Sequence, residues 1–130
     1  PNITRSLLLN EQLKIYDTGK QTRTYCYVTD AINGFLRVIF KSEQFGIYNI
    51  GNDQGEVSVL DLVKITEEVM GIKINYKTTS YQKEYPPDEP RRRCPDISNA
   101  KKNLNYYPQI SLKEGLKRHF TWSKYFLNID

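Results

Sequence analysis

Four of the six prolines and three consecutive arginines fall within one short stretch, Tyr81–Asp96, reading YQKEYPPDEPRRRCPD. Proline locks φ and lacks a backbone donor, so neither a helix interior nor a central strand can run through this stretch. Whatever precedes it must pack against whatever follows across an irregular loop. A long irregular loop in a compact domain is usually functional or disordered. Three guanidiniums on a proline-stiffened loop suit an anion, because arginine's planar fork offers a phosphate two parallel hydrogen bonds. The plain alternative is a solvated basic loop.

The chain has 130 residues, enough for one domain with a real core but not for two. Apolar residues make up 38% and charged residues 26%, a globular balance. No apolar run approaches membrane-spanning length, and the opening PNITRS has no signal-peptide pattern, so neither a membrane nor a secretory route is expected. The net charge of +4 is modest and the basic residues form no stripe interleaved with aromatics, which argues against a nucleic-acid partner. Cys26 and Cys94 lie far apart and there is one histidine, His119, so no metal site is expected. Both cysteines read as free thiols of a reducing, cytoplasmic compartment.

Helices and short strands alternate along the chain. Asn2–Asn10 reads as a short helix, and its start part-way into such a helix suggests a piece of something longer. Leu13–Tyr16 reads as a strand, Asp17–Lys20 as a turn and the β-branched and aromatic run Thr22–Val28 as extended. A helix from Asp30 to Lys41 follows, with Ala31, Ile32, Phe35, Leu36, Ile39 and Phe40 as its expected buried face. Gly46–Ile50 is expected to be a strand. Ser58 should cap a helix that buries Val59, Leu62, Val63 and Val69 and stops at Gly71. Ile72–Tyr76 alternates like a half-buried strand. Beyond the basic loop, Ser98 should cap a helix to Leu104, and Ser111–Glu114 forms a capping box for the last helix, with Leu112, Leu116, Phe120 and Phe126 inward. The strands are too few and too short for a self-sufficient doubly wound sheet, so the chain reads as an α/β lobe that packs on something else.

Three polar constellations stand out: Gln21-Thr22-Arg23, Tyr48-Asn49-Ile50-Gly51 and Arg91-Arg92-Arg93-Cys94-Pro95-Asp96. They could converge on one anionic ligand, or be an ordinary surface charge, a turn residue and a solvated face. Tyr16-Asp17-Thr18-Gly19-Lys20 has Tyr-x-x-x-Lys spacing, but the pairing needs a helix and these are turn residues. His119 reads as a helix-face residue.

Taken in order, the segments resemble the C-terminal part of extended short-chain dehydrogenase/reductases that act on nucleotide sugars. The resemblance rests on Gly19-Lys20-Gln21-Thr22-Arg23-Thr24-Tyr25-Cys26-Tyr27-Val28-Thr29-Asp30, Tyr48-Asn49-Ile50-Gly51, Arg92-Arg93-Cys94-Pro95-Asp96-Ile97, Leu104-Asn105-Tyr106-Tyr107-Pro108 and Leu112-Lys113-Glu114-Gly115-Leu116. It spans essentially the whole chain, and the Gln-Thr-Arg and Arg-x-Pro-Asp-Ile pieces look most like UDP-glucuronate decarboxylases. Asn105-Tyr106 departs from the family's Gly-Trp, and Thr29 stands where many members have a second aspartate. The family's NAD-binding Gly-x-x-Gly-x-x-Gly loop and helical Tyr-x-x-x-Lys do not occur in these 130 residues.

The resemblance implies one substrate-binding portion over residues 1–130, with the NAD-binding Rossmann half absent. In the intact enzyme, NAD on that other half would oxidise the sugar at C4 before epimerisation, dehydration or decarboxylation. The present lobe would hold a nucleotide-diphosphate sugar. Arg23 and either Arg92 or Arg93 would meet the pyrophosphate, Asn49 the substrate or a nearby loop, and Tyr85 the sugar or base. Spacing leaves Arg92 and Arg93 undecided. The intact enzyme would be a homodimer and this chain alone catalytically inert. The competing reading is a stand-alone sugar-nucleotide binder or interaction module.

Overall fold

A computed structural model describes residues 2–43, 45–80 and 90–127. In chain order the elements are α1 (Asn2–Leu8), β1 (Leu13–Tyr16), β2 (Thr22–Arg23), α2 (Val28–Lys41), β3 (Val57–Ser58), α3 (Val59–Met70), β4 (Tyr76–Thr79), β5 (Arg92–Arg93), α4 (Ser98–Leu104) and α5 (Leu112–Leu127). The chain is α/β, with two small sheets among the described residues. β1 and β4 pair in parallel, and β2 is central in the order β3-β2-β5. No helix of the described residues is long and apolar enough to cross a membrane.

Two separate cores follow from this arrangement. In the first, Leu13 and Ile15 point inward from β1 while Lys14 points out, and they meet Val63 of α3 and Ile74. α3 is fixed at both ends. Ser58 Oγ accepts the Asp61 amide at 3.0 Å and donates to Asp61 Oδ2 at 2.6 Å, while Gly71 takes the left-handed conformation and bonds back to Glu67. The start of α3 docks on the turn after β1, where the Leu60 amide donates to the Gly19 carbonyl. Gly19 has φ +69°, and a Cβ there would lie 2.8 Å from Leu60 Cγ. Only glycine satisfies both constraints. In the second core, Ile97, Ala100 and Leu104 of α4 join Tyr106, with Val38, Tyr48 and Ile50 packed against them. The Tyr106 hydroxyl donates to the Gly51 carbonyl at 2.9 Å.

Several expectations fail for identifiable reasons. α2 starts at Val28, and its apolar stripe does not form the buried face: Ile39 is 71% and Phe40 79% exposed, with Ile32, Phe35 and Leu36 also exposed. The helix instead turns Asp30 and Gly34 inward. Asp30 Oδ2 accepts the Ile110 amide at 2.9 Å, and Gly34 lets α2 approach Ile50 and Tyr106. Gly46–Ile50 is not a strand, because it has no ladder partner among the described residues. Side chains hold its backbone and its neighbours: Asn99 Nδ2 donates to the Ile47 carbonyl at 2.7 Å. The strand expected at Ile72–Tyr76 begins only at Tyr76, since Leu13 lies opposite that residue. Thr22–Val28 is a strand only over Thr22–Arg23, the length of its partners β3 and β5. α4 is opened by Asp96 rather than Ser98, with Asp96 Oδ1 accepting the Ser98 amide at 2.8 Å. In α5, Leu112, Leu116 and Phe120 are partly buried but Phe126 is exposed and stacks on Trp122. Half of the expected capping box forms, from the Glu114 amide to Ser111 Oγ, while the Glu114 carboxylate pairs with Arg118.

A Cβ on Gly34 would collide with the Ile50 side chain and sit 3.0 Å from Tyr106. Gly34→Ala should therefore destabilise the fold by about 1–3 kcal/mol through overpacking, read from denaturant unfolding. An unchanged midpoint would mean that α2 does not sit against Ile50 and Tyr106.

Candidate functional site: a basic cleft beside the central strand

Strand alternation sorts the residues around β2 into two groups. Thr22 lies opposite Ser58 and Arg92, and Arg23 lies opposite Val57 and Arg93. Successive side chains point to opposite faces. Arg23 and Arg93 are therefore neighbours on one face of the sheet, across a strand spacing of about 4.8 Å. Thr22 and Arg92 are neighbours on the other.

On the second face, Glu56 just before β3 reaches across the central strand. Its carboxylate accepts from Thr22 Oγ1 at 2.5 Å and from the Arg92 guanidinium at 2.8, 3.0 and 3.1 Å. The Thr22 hydroxyl and then Arg92 hold the Glu56 carboxyl below the usual glutamate range. Arg92 is thus engaged in a forked ion pair facing away from Arg23.

The first face borders a cleft of about 720 Å³ between β1, β2 and α5. Arg23 lines it together with Tyr16, Gln21, Tyr25 and His119. Gln21 Nε2 donates to the Tyr16 carbonyl at 3.1 Å, tying the residue before β2 to the end of β1. Burial pushes the Tyr25 phenol up and the His119 imidazole down, so both are neutral near pH 7. His119 stacks on Trp122 with ring centroids 6.1 Å apart, as a helix-face residue does. Burial also raises the Cys26 thiol, which lies 3.6 Å from the Tyr106 hydroxyl. Such a thiol is a poor nucleophile at neutral pH.

The expected site residues are brought together only in part. Arg23 and Arg93 share a face, whereas Arg92 faces the other way. Asn49 does not turn its amide to the cleft: its Nδ2 donates to the Asp96 carbonyl at 2.9 Å and secures the chain just past β5. Tyr85 lies outside the described residues. Tyr16 ends a strand and is followed by Asp17 at φ +55°, so Tyr16 and Lys20 are not on a helix. Glu56 was missed because nothing in its local pattern marks a partner that lies 36 residues on, inside the proline-rich stretch. Among the described residues no group of three or more histidines, cysteines or carboxylates could hold a metal. The described residues do not fit NAD either. The turn after β1 leads to another strand, whereas a dinucleotide needs a glycine-rich turn that opens a helix.

The family model described as GDP-mannose 4,6 dehydratase matches residues 1–119. The chain belongs to this family, a branch of the extended short-chain dehydrogenase/reductases. A relative in the family is UDP-glucuronic acid decarboxylase 6 of Arabidopsis thaliana, 37% identical over 115 residues, covering 88% of this chain and 32% of that protein. A UDP-glucuronate 4-epimerase of Thermodesulfobacterium geofontis is 33% identical over 112 residues, covering 86% of this chain and 33% of its own. Among solved structures, the UDP-glucuronic acid 4-epimerase of Bacillus cereus, in complex with UDP-glucuronic acid and NAD, superposes with a TM-score of 0.85 at 27% identity, over 96% of this chain and 39% of that one. The chain spans about a third of the length of the curated relatives it matches.

The Glu56 contacts have a pH signature. Its folded pKa lies below the ordinary 4.5, so its stabilising contribution is complete above that value and is lost as pH falls through the depressed one. Between about pH 3 and 7, the difference in stability between wild type and Glu56→Gln should be constant at neutral pH and shrink on the acid side. Unfolding midpoints that stay parallel to the lowest pH would rule the contact out in solution.

Proposed function

We propose that this chain is the nucleotide-sugar-binding portion of an NAD-dependent epimerase, dehydratase or decarboxylase, and that Arg23 and Arg93 grip the substrate's diphosphate. The observation that carries the reading is the direct opposition of these two arginines on one face of the sheet, with Arg23 lining the cleft. A diphosphate could accept hydrogen bonds from both guanidiniums at once. Each arginine is fixed by the backbone of a paired strand, which limits the ordering cost of gripping a ligand. The relatives' UDP-sugar substrates favour a UDP-sugar here, glucuronate among them.

The role is to bind and orient. Holding the diphosphate away from the reacting carbon positions the sugar for chemistry elsewhere. That chemistry requires a dinucleotide cradle and a base that these residues do not form, so the chain alone would bind without turnover. The exposed stripe Ile32, Phe35, Leu36, Ile39 and Phe40 of α2 is the surface that such a Rossmann half would cover, consistent with relatives about three times as long.

Calorimetric titration with UDP and UDP-glucuronate tests the clamp. Hydrogen bonds to charged groups contribute about 1.5–3 kcal/mol each. Arg23→Ala and Arg93→Ala should therefore each weaken binding by roughly 10–100-fold. Binding untouched by either change would overturn the assignment.

The apolar stripe has its own test. Phe35→Glu with Phe40→Glu should abolish binding of a hydrophobic dye to the isolated chain without lowering its thermal midpoint. A fall in midpoint as large as that of a core substitution would mean that the stripe is packed within the chain.

A further inference from the structure

We infer that Glu56 is a positioning residue: by joining Thr22 and Arg92 on one face of the sheet, it sets the strand register that places Arg93 beside Arg23 on the other. The inference rests on the clamp reading above and names what builds the clamp.

Little backbone pairing fixes this register. β2, β3 and β5 are two residues long each. Besides the ladder pairing itself, β2 is linked to the β5 segment by the Thr22 amide to the Arg91 carbonyl at 2.8 Å and the Thr24 amide to the Arg93 carbonyl at 3.1 Å. A one-residue slip would turn every side chain of β5 to the opposite face. In most strands the apolar pattern forbids such a slip. Here it does not, because Arg91, Arg92 and Arg93 are consecutive and β5 is exposed. A one-residue slip in one direction would put Arg92 opposite Arg23, on a differently held backbone, and in the other direction Cys94. Charge alone therefore does not choose between Arg92 and Arg93.

Glu56 can choose. Its carboxylate accepts from both Thr22 and Arg92, so it reads the one alignment in which those two residues are neighbours. The forked geometry with the Arg92 guanidinium is directional, and a lysine or a slipped arginine would not reproduce it. The contact spans all three strands, from the residue before β3 across β2 to β5. Arg92 thus acts through Glu56 on the alignment and not on the ligand, and the arginine run divides its work: Arg92 locks the register and Arg93 meets the anion.

Two readouts on the 130-residue chain test this, with Glu56→Gln, Arg92→Gln and the double variant. The first is amide hydrogen exchange by NMR without ligand. The Thr22 and Thr24 amides should exchange at least about tenfold faster in each single variant, while amides in α3 and α5 keep their wild-type protection. The second is affinity for UDP. Each single change should weaken it by about tenfold, and the double change no further, because both remove one contact. Unchanged Thr22 and Thr24 exchange in Glu56→Gln would overturn the inference. So would losses that add in the double variant, since Arg92 would then touch the ligand itself. Should wild type bind no UDP, the clamp reading fails on its own, and the exchange data still decide whether Glu56 sets the register.

Discussion

β2 is paired on both sides, and the rest of the molecule is arranged around that fact. Thr22 and Arg23 are matched with β3, which runs straight into α3, and with β5, which leads to α4. Removing this pairing would leave two small cores with little to join them. One is built on β1, α3 and Ile74 and the other on α4 and Tyr106. The loop before β3 adds a second tie, where Asn52 Nδ2 donates to the Tyr25 carbonyl at 3.1 Å and Lys101 pairs with Asp53 at 2.5 Å. The cleft lies beside the central strand because that is where the two halves of the chain meet.

What was legible in the sequence follows from what each feature depends on. Helix ends are local chemistry, so Ser58, Gly71 and the start of α5 could be read directly. Strand limits depend on partners. Leu13–Tyr16 was legible from its own alternation, but the position of β4 was not, since β1 and not the local pattern decides that Tyr76 is its first paired residue. Gly46–Ile50 has strand composition and no ladder. The same logic divides the candidate site. Arg23 and the arginine run stand out in the sequence as anion-binding chemistry. Which arginine shares a face with Arg23 depends on a register that no spacing encodes, and Glu56, which joins Thr22 to Arg92, looks in the sequence like any loop carboxylate.

The reversal of α2 is the most informative departure. Period alone made its apolar stripe the buried face, and a helix in a self-contained domain would obey that rule. α2 instead meets its neighbours through Gly34 and Asp30, a small residue that admits close approach and a carboxylate that accepts the Ile110 amide. These inward contacts are specific and few, and the stripe is left outward. A helix with one polar anchored face and one apolar free face is suited to lie between two layers. Among the described residues the stripe stays exposed, so the period alone did not decide which face of α2 packs.

The same division runs through the sheet. Its two faces differ in what they need from the backbone. The Glu56 face is closed on itself: carboxylate, hydroxyl and guanidinium satisfy one another. The other face carries Arg23 and Arg93 on neighbouring strands. Strands of two residues offer few backbone hydrogen bonds to oppose a slip. Placing a multiply bonded carboxylate directly behind the two cations opposes the slip at the point where it would start. The Glu56 contacts on one face and the opposition of Arg23 and Arg93 on the other are then consequences of a single register.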